Sequence, residues 1–432
     1  MRITTLDIKH YKTIEDHLAI TCFSDLQILI GPNNAGKTNV LDAIELFFSP
    51  NLNPERFYDS HSNLSVSILL DDGAELDVSY KNDERSYSLF GSPVSGADER
   101  VAVASKRFMR VRTEISVRRL ITHDLRAFAE HNREKYKEFC ATLEQYFEDI
   151  ELSEKLFLDN VRMDRHDRPI GRLGDGFRRL FIMLFYIFHP SYDIILIDEA
   201  ELHLHPTVIK RFLKILSDAR YGKQIFLTTH SSVFVQPSTV PHVWRISRDE
   251  HQNTKIYGLR NCGIEYEGDR LAQELNADNT EMFFADLVLL VEGVSDRILL
   301  RGLIDRFYLG KSDIKVIYAG GKGNIDVYAK LCDEFHIPYR ILLDKDALQG
   351  VWSGHIRRAL DGHNADSTEQ KVRILKERGI YILEGALENS YPKKYQKKDT
   401  KPLNALYASQ LITKEDLSSP KMRVIREVVE AL

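Results

Sequence analysis

The sequence is poor in several things, and each shortage removes a class of protein. Cysteine is scarce. Cys22, Cys140, Cys262 and Cys332 are widely spaced and form no CxxC pair, so neither a zinc site nor a disulfide scaffold is indicated. A reducing cytoplasm is the expected location. Long apolar runs are missing as well. The longest, LFIMLFYIF at 180–188, falls well short of the ~18 residues that span a bilayer. The opening MRITTLDIKHYKTIEDH lacks the continuous apolar stretch of a signal peptide, so no membrane partner is expected. There is no excess of positive charge, since 59 Lys and Arg face 64 Asp and Glu for a net −5. Any contact with a polyanion must therefore come from local basic patches. Internal repeats and low-complexity tracts are also absent.

What remains is ordinary globular composition, 43% hydrophobic and 28% charged over 432 residues, enough for about two or three domains. The first third is β-rich: ITTLDIKHY, LAITCF, LQILIG, LSVSILL and AELDVSY are short β-branched runs broken by Asp, Asn and Gly. A helical pattern covers about 118–157, with Phe128, Tyr136, Phe139, Leu143 and Phe147 on one face. The runs YDIILID and KQIFLTT, each beside a helical segment, then suggest a parallel sheet with crossovers. A polar stretch follows HVWRIS, and a second strand–helix alternation begins with LVLLVEG. The expected organisation is an α/β domain at 1–262 with the helical segment inserted, a linker at 263–284, and a second α/β domain at 285–432.

LQILIGPNNAGKTN holds Gly31, four residues, and Gly36-Lys37-Thr38, after an apolar strand and before a helical pattern. That is a phosphate-binding loop: its backbone N–H groups wrap phosphate oxygens, Lys37 reaches the β- and γ-phosphates, and Thr38 ligates Mg²⁺. Asn33, Asn34 and Asn39 flank the same loop. IILIDEA delivers Asp198 and Glu199 at a strand end, suiting a metal-holding acid and a water-activating one. QIFLTTHSS ends a further strand at His230, placed to sense a γ-phosphate. His203 and His205 have no third ligand nearby and are read as structural. The segment GRLGDGFRRLF resembles the signature motif of ABC-type ATPases. Gly174 stands where the family has Ser, so contact to the γ-phosphate must come from backbone or Asp175, with Gly176 beside it. The resemblance implies an ABC-type ATPase domain, a mixed sheet with a P-loop. It also implies a homodimer, because one subunit's signature closes on ATP held by the other, and the inserted helical segment is expected to contribute to it. No long heptad arm interrupts this head, which disfavours the large coiled-coil repair relatives.

The second half raises its own question. LVLLVEGVSD stops five apolar residues on Glu292 and places Asp296 one helical turn later. The plain reading is a strand end and a helix cap. Yet RILLDKDAL ends on Asp344 and Asp346, YILEGALENSY supplies Glu384 and Glu388, and IYAGGKGN gives a glycine turn at Gly320-Gly321-Lys322. Residues two apart in an extended segment face one way, and residues four apart share a helical face. The ends of parallel strands lie on one sheet edge, where ligands of α/β folds bind. Oxygen ligands without a Cys/His cluster indicate Mg²⁺ or Mn²⁺, and several acids can hold two ions roughly 4 Å apart.

Glu-Gly after the first strand, a glycine turn after the second and DxD after the third resemble a Toprim domain, a Rossmann-like parallel sheet. An ABC-type head followed by Toprim resembles the OLD (overcoming lysogenization defect) nucleases. The resemblance implies ATP as cofactor, Glu292, Asp296, Asp344, Asp346 and Glu388 as ligands of Mg²⁺ or Mn²⁺, and a late lysine, matched best by Lys401 and next by Lys398. It implies a DNA endonuclease used in antiphage defence, with a helicase or a retron reverse transcriptase and its nucleic acid as partner in some relatives. The alternative is an ATP-driven regulator or scaffold with an inactive Toprim domain. A topoisomerase or primase is disfavoured by the ATPase type.

Overall fold

The computed structural model describes residues 1–15, 17–21, 24–48, 63–81, 84–89, 91–94, 107–113, 124–146, 150–151, 160–163, 166–169, 173–218, 221–259, 279–321, 323–349, 352–363 and 367–432. The chain divides into two compact units, Met1–Val235 with Thr239–Gly263, and Gln236–Ser238 with Ile264–Leu432.

The first unit begins with β1 (Ile3–Lys9), β2 (Leu18–Thr21) and β3 (Leu26–Ile30). After a helix at Lys37–Phe48 come β4 (Leu64–Leu70), β5 (Glu75–Lys81), β6 (Glu84–Leu89) and β7 (Ser92–Val94). An antiparallel sheet runs in the order β2-β1-β4-β5-β6-β7. Its strands alternate: Leu64, Val66, Ile68 and Leu70 of β4 are buried, and the residues between them are more exposed, the period of a sheet with one covered face.

The second sheet carries the nucleotide motifs. It adds β8 (Phe108–Val111), β12 (Ile194–Ile197), β13 (Gln224–Thr228), β14 (Val243–Arg248) and β15 (Thr254–Tyr257) in the order β15-β14-β3-β13-β12-β8. From β14 to β8 every pair is parallel, and β15 is antiparallel, so the sheet is mixed. Every residue of β3, β12 and β13 is buried, as strands covered on both faces require. The remaining strands, β9 (Ile150–Glu151), β10 (Asn160–Met163) and β11 (His166–Pro169), form a small antiparallel sheet.

Of the expected helical segment at 118–157, the described residues are 124–146 and 150–151. The first stretch forms two helices, Leu125–His131 and Arg133–Glu144, broken where Asn132 leaves helical geometry at φ −137° and ψ 53°. Phe128, Tyr136, Phe139 and Leu143 are buried, and Phe139 packs edge-on against Phe181, Phe185 and Phe188 of the helix Asp175–Phe188. Ile150–Glu151 instead pairs with β10, because its backbone groups find ladder partners there. Phe147 lies outside the described residues.

The second unit is a four-stranded parallel sheet of β16 (Leu287–Val291), β17 (Ile314–Tyr318), β18 (Tyr339–Leu343) and β19 (Ile380–Ile382), in the order β17-β16-β18-β19. The helix Val294–Phe307 follows β16 and packs on the helix Lys401–Leu411. Their approach is close, since a Cβ on Gly302 would lie 2.6 Å from the Cβ of Ser409. Arg306 fastens the far end by donating to Ser409 O at 2.6 Å and Ile412 O at 2.7 Å. Asn279–Phe284 is a 3-10 helix with Met282 and Phe283 fully buried, and Asn279 donates to Tyr318 O and Tyr328 Oη. Residues 263–278 lie outside the described residues. Among the described residues no helix is long and apolar enough to cross a membrane.

Candidate active sites

Three adjacent parallel strands bring the nucleotide motifs to one sheet edge. β3 leads into the P-loop, β13 ends before His230 and β12 ends at Asp198 and Glu199. The loop requires its glycines. A Cβ on Gly31 (φ 138°) would lie 2.0 Å from Ile246 O, and one on Gly36 (φ 107°) 2.5 Å from Thr254 Oγ1. Lys37 begins the helix Lys37–Phe48, is buried, and donates to Gly31 O at 2.9 Å and Pro32 O at 2.8 Å. Its ammonium thus rests on the loop's own carbonyls. Burial lowers Lys37 to about 8, opposed by Glu201, Glu199 and Asp198.

Thr38 Oγ1 lies 3.4 Å from Asp198 Oδ1, which also accepts from Thr228 Oγ1 at 2.7 Å. A hydroxyl and a carboxylate that meet across the loop suit one shared Mg²⁺. Glu199 holds a left-handed backbone, φ 49°, and its N–H donates to Thr228 Oγ1 at 2.8 Å. A non-glycine residue in that region is uncommon and is kept there by its surroundings. His230 sits exposed at the rim. Partial burial of its ring, then Lys37, lowers its imidazole. Asn33 and Asn34 are exposed on the loop, with Asn34 at φ 60°. Asn39 turns to Thr13 Oγ1 at 2.7 Å. Gly174 caps the helix Asp175–Phe188, and Asp175 pairs with Arg178. A Cβ on Gly176 would lie 2.5 Å from His203 O, so the signature turn rests against the segment after Glu199.

Sequence reasoning missed three residues here. Glu201 accepts the His230 N–H at 2.6 Å, and its Oε2 is buried without a hydrogen-bond partner. Arg179 is fully buried and donates to the main-chain carbonyls of Arg112, Asp198 and Glu199, tying the signature helix to the end of β12. Arg110 on β8 donates to Asp198 Oδ2 at 3.1 Å and to Glu45 Oε2 at 2.7 Å. Arg179 lies inside the signature segment GRLGDGFRRLF and Glu201 stands two residues after Glu199, so adjacency was a signal for both. Arg110 sits in FMRV, a strand with no motif.

In the second unit the C-terminal ends of all four strands share one edge. Glu292 follows β16, Gly320 and Gly321 follow β17, Asp344 follows β18, and Glu388 stands beyond β19. Glu292 Oε1 accepts the Asp344 N–H at 3.0 Å. Asp296 Oδ2 accepts the Gly293 N–H at 2.8 Å, so it does cap its helix, and it faces the other acids as well. Burial pushes Glu292 up to about 7; the Asp344 N–H opposes, and the carboxylates of Asp344, Asp346 and Asp296 push the same way. Burial pushes Asp296 up to about 6, with Asp344 and Glu388 adding to it. Asp344 is raised by burial and then by Asp346 and Glu388, against Lys401. Its Oδ1 is buried without a hydrogen-bond partner. Lys401 opens its helix 3.1 Å from Glu388 Oε1, whereas the Lys398 ammonium lies over the Tyr407 ring at 4.9 Å.

Two sequence expectations change here. The DxD is not extended: β18 ends at Leu343, and Asp344 starts a 3-10 turn at Lys345–Leu348, which leaves Asp346 exposed. Glu384 does not share a helical face with Glu388. The chain stays extended through Leu383, whose N–H donates to Leu343 O, and turns only at Leu387–Ser390. Glu384 therefore pairs with Arg423 at 2.9 Å. Lys322 lies outside the described residues. Among the described residues no three His, Cys, Asp or Glu side chains already stand close enough to hold one ion, so the carboxylates must close in to do so. Crowded oxygen donors with raised values, one of them an orphaned buried oxygen, fit a hard divalent cation.

Comparison with known proteins agrees in both units. The TOPRIM domain of overcoming lysogenization defect protein-like proteins matches residues 283–346. An AAA ATPase domain matches 1–89, and an AAA domain linked to the AbiEii toxin of type IV toxin–antitoxin systems matches 59–236. The first unit, with its mixed sheet, thus matches AAA-type ATPase domains, and part of the second matches an OLD-like Toprim domain. The chain is similar to the OLD nuclease of Thermus scotoductus, 24% identical over 201 residues that make up 44% of this chain and 37% of that protein. It is likewise similar to the Old nuclease of Escherichia phage P2, 26% over 209 residues, 43% of this chain and 35% of that one. Endonuclease GajA of Bacillus cereus matches at 25% over 186 residues, 37% of this chain and 27% of that protein. The aligned parts thus span less than two fifths of these relatives' length.

Proposed function

We propose that the chain is an ATP-binding and ATP-hydrolysing endonuclease of the OLD type that cleaves DNA with Mg²⁺ or Mn²⁺. The observation that carries this reading is the edge of the second sheet. Glu292, Asp296 and Asp344 come from two parallel strands and the helix between them, and their carboxyls are raised by burial and by one another. An acid cluster under that repulsion is costly to keep without a cation. Glu292, Asp296, Asp344, Asp346 and Glu388 would hold the metal. A bound pair of ions would activate water and stabilise the leaving oxygen. Lys401 would offset charge gathering on the scissile phosphate, and its position beside Glu388 favours it over Lys398.

In the head, Lys37 would leave the carbonyls of Gly31 and Pro32 for the phosphates. Thr38 and Asp198 would hold Mg²⁺, Glu199 would orient water, and His230, fixed through Glu201, would face the γ-phosphate. Gly174, Asp175 and Gly176 would act on nucleotide held by a second copy, which makes the working form a homodimer. Antiphage defence, beside a helicase or a retron reverse transcriptase, is the role that the OLD resemblance supports. An inactive Toprim scaffold accounts less well for the crowded acids.

The test is supercoiled plasmid incubated with purified protein, ATP and Mg²⁺ or Mn²⁺. Nicked or linear product that vanishes on chelation supports the proposal. Intact plasmid under every metal and nucleotide condition contradicts it.

A further inference from the structure

The Arg110 guanidinium is a buried cation that meets three carboxylates, and the nucleotide motifs do not explain it. It stands in β8 opposite Leu196 of β12, with 3% of its side chain exposed. Nη1 donates to Asp42 and, at 2.7 Å, to Glu45 Oε2; Nη2 donates to Asp198 Oδ2 at 3.1 Å. One cation thus bridges two acids on the helix that begins with Lys37 and Thr38 and one acid at the end of β12. Lys12 pairs with Asp42, and Arg112 pairs with Glu45 at 2.6 Å. Three carboxylates (Asp42, Glu45, Asp198) therefore face three cations (Lys12, Arg110, Arg112). The network is neutral without any metal, in contrast with the crowded acids of the second unit.

Asp198 is divided between two sides. Oδ2 belongs to Arg110, while Oδ1 accepts from Thr228 and meets Thr38. The guanidinium removes one oxygen from use and turns the other toward the Thr38 hydroxyl.

We propose that Arg110 is a positioning residue and built-in counter-ion: it keeps free divalent cations out of the head, so that metal enters only with nucleotide, through the Asp198 oxygen held toward Thr38. A carboxylate already neutralised by a bonded guanidinium has little attraction left for a free ion. The phosphates of a nucleotide supply the missing negative charge. The inference rests on the P-loop reading above, although its first test needs no nucleotide.

The test uses the full chain with Asp344→Ala and Asp346→Ala as background, to reduce metal binding at the second site. Mn²⁺ binding is read from the free-ion paramagnetic resonance signal, without nucleotide. Adding Arg110→Met is expected to create about one extra Mn²⁺ equivalent per chain, and adding Asp198→Asn on top is expected to remove it. In the second arm, a fluorescent ATP analogue is titrated with and without Mg²⁺. Arg110→Met should raise the ratio of metal-free to metal-bound Kd at least tenfold, and Arg110→Lys, which keeps the charge but cannot bridge three carboxylates, should fall between. A folded Arg110→Met protein with no added Mn²⁺ site and an unchanged ratio overturns the proposal. If Arg110→Met does not fold, Arg110→Lys with a wild-type ratio and no added site overturns it. Failure of the background protein to bind the analogue at all sinks the P-loop reading instead, and leaves the Mn²⁺ arm to decide on Arg110.

Discussion

The carboxyl of Glu292 should destabilise the metal-free protein, and removing its charge should therefore stabilise the fold while abolishing cleavage. Burial and the acids around it hold Glu292 at about 7 in the folded chain, against an ordinary 4.5. The folded value lies above the unfolded one, so the folded state binds the extra proton. Stability from this group is full below about pH 4.5 and is lost as the pH rises through 7. At about 1.36 kcal/mol per tenfold the difference corresponds to roughly 3 kcal/mol, and because the carboxyl is only about half buried, solvent screening brings it to about 1–2 kcal/mol. Glu292→Gln keeps an oxygen to accept the Asp344 N–H and drops the charge. At pH 8 with a chelator, it should unfold the second unit a few degrees, about 3–6 °C, above wild type. At pH 5 the two should agree closely, because the wild-type carboxyl is then already protonated. Saturating Mg²⁺ should raise wild type and leave Glu292→Gln little changed, since only a state that binds the ion gains from it. Calorimetry at the two pH values, with and without metal, checks all three statements. A variant that is no more stable than wild type at pH 8, or equally stabilised at pH 5, refutes the reasoning.

The other predictions concern ATP, assembly and the late lysine. Lys37→Ala should lose ATP binding, whereas Glu199→Gln should bind ATP and hydrolyse it slowly; wild-type turnover in both contradicts the phosphate cradle and the water-orienting acid. Glu199→Gln with ATP should run as a dimer in light scattering, because Gly176 and its neighbours act on nucleotide held by another copy; a strict monomer under all conditions counts against this. Lys401→Ala should slow cleavage on the order of 10²-fold with little change in metal affinity. A large fall in metal affinity with kcat preserved would make Lys401 a partner of Glu388 and nothing more.

Much of this molecule was legible because its motifs end buried strands. β3, β12, β13 and β16 are apolar at nearly every position and stop on chemistry-bearing residues, a pattern that periodicity and spacing alone reveal. Asp296 shows how a plain reading can be right without exhausting a residue, since its carboxylate caps the helix and is also raised by the neighbouring acids. Less legible was anything set by local backbone choice. The turn at Asp344 and the extended chain through Leu383 decide that Asp346 is exposed and that Glu384 pairs with Arg423. Least legible was Arg110, whose partners Asp42 and Asp198 lie 68 and 88 residues away. Contacts of that separation leave no trace in a local pattern.

The measurement that bears most directly on the account follows two activities in one sample. Wild type and the Asp344→Ala, Asp346→Ala double variant are each incubated with supercoiled plasmid, ATP and Mn²⁺, and DNA breaks and phosphate release are counted together. The account predicts that the variant stops cutting while it still hydrolyses ATP, because the two acids at the end of β18 belong to a different unit from the P-loop. Plasmid nicking that persists undiminished in the purified double variant would contradict it.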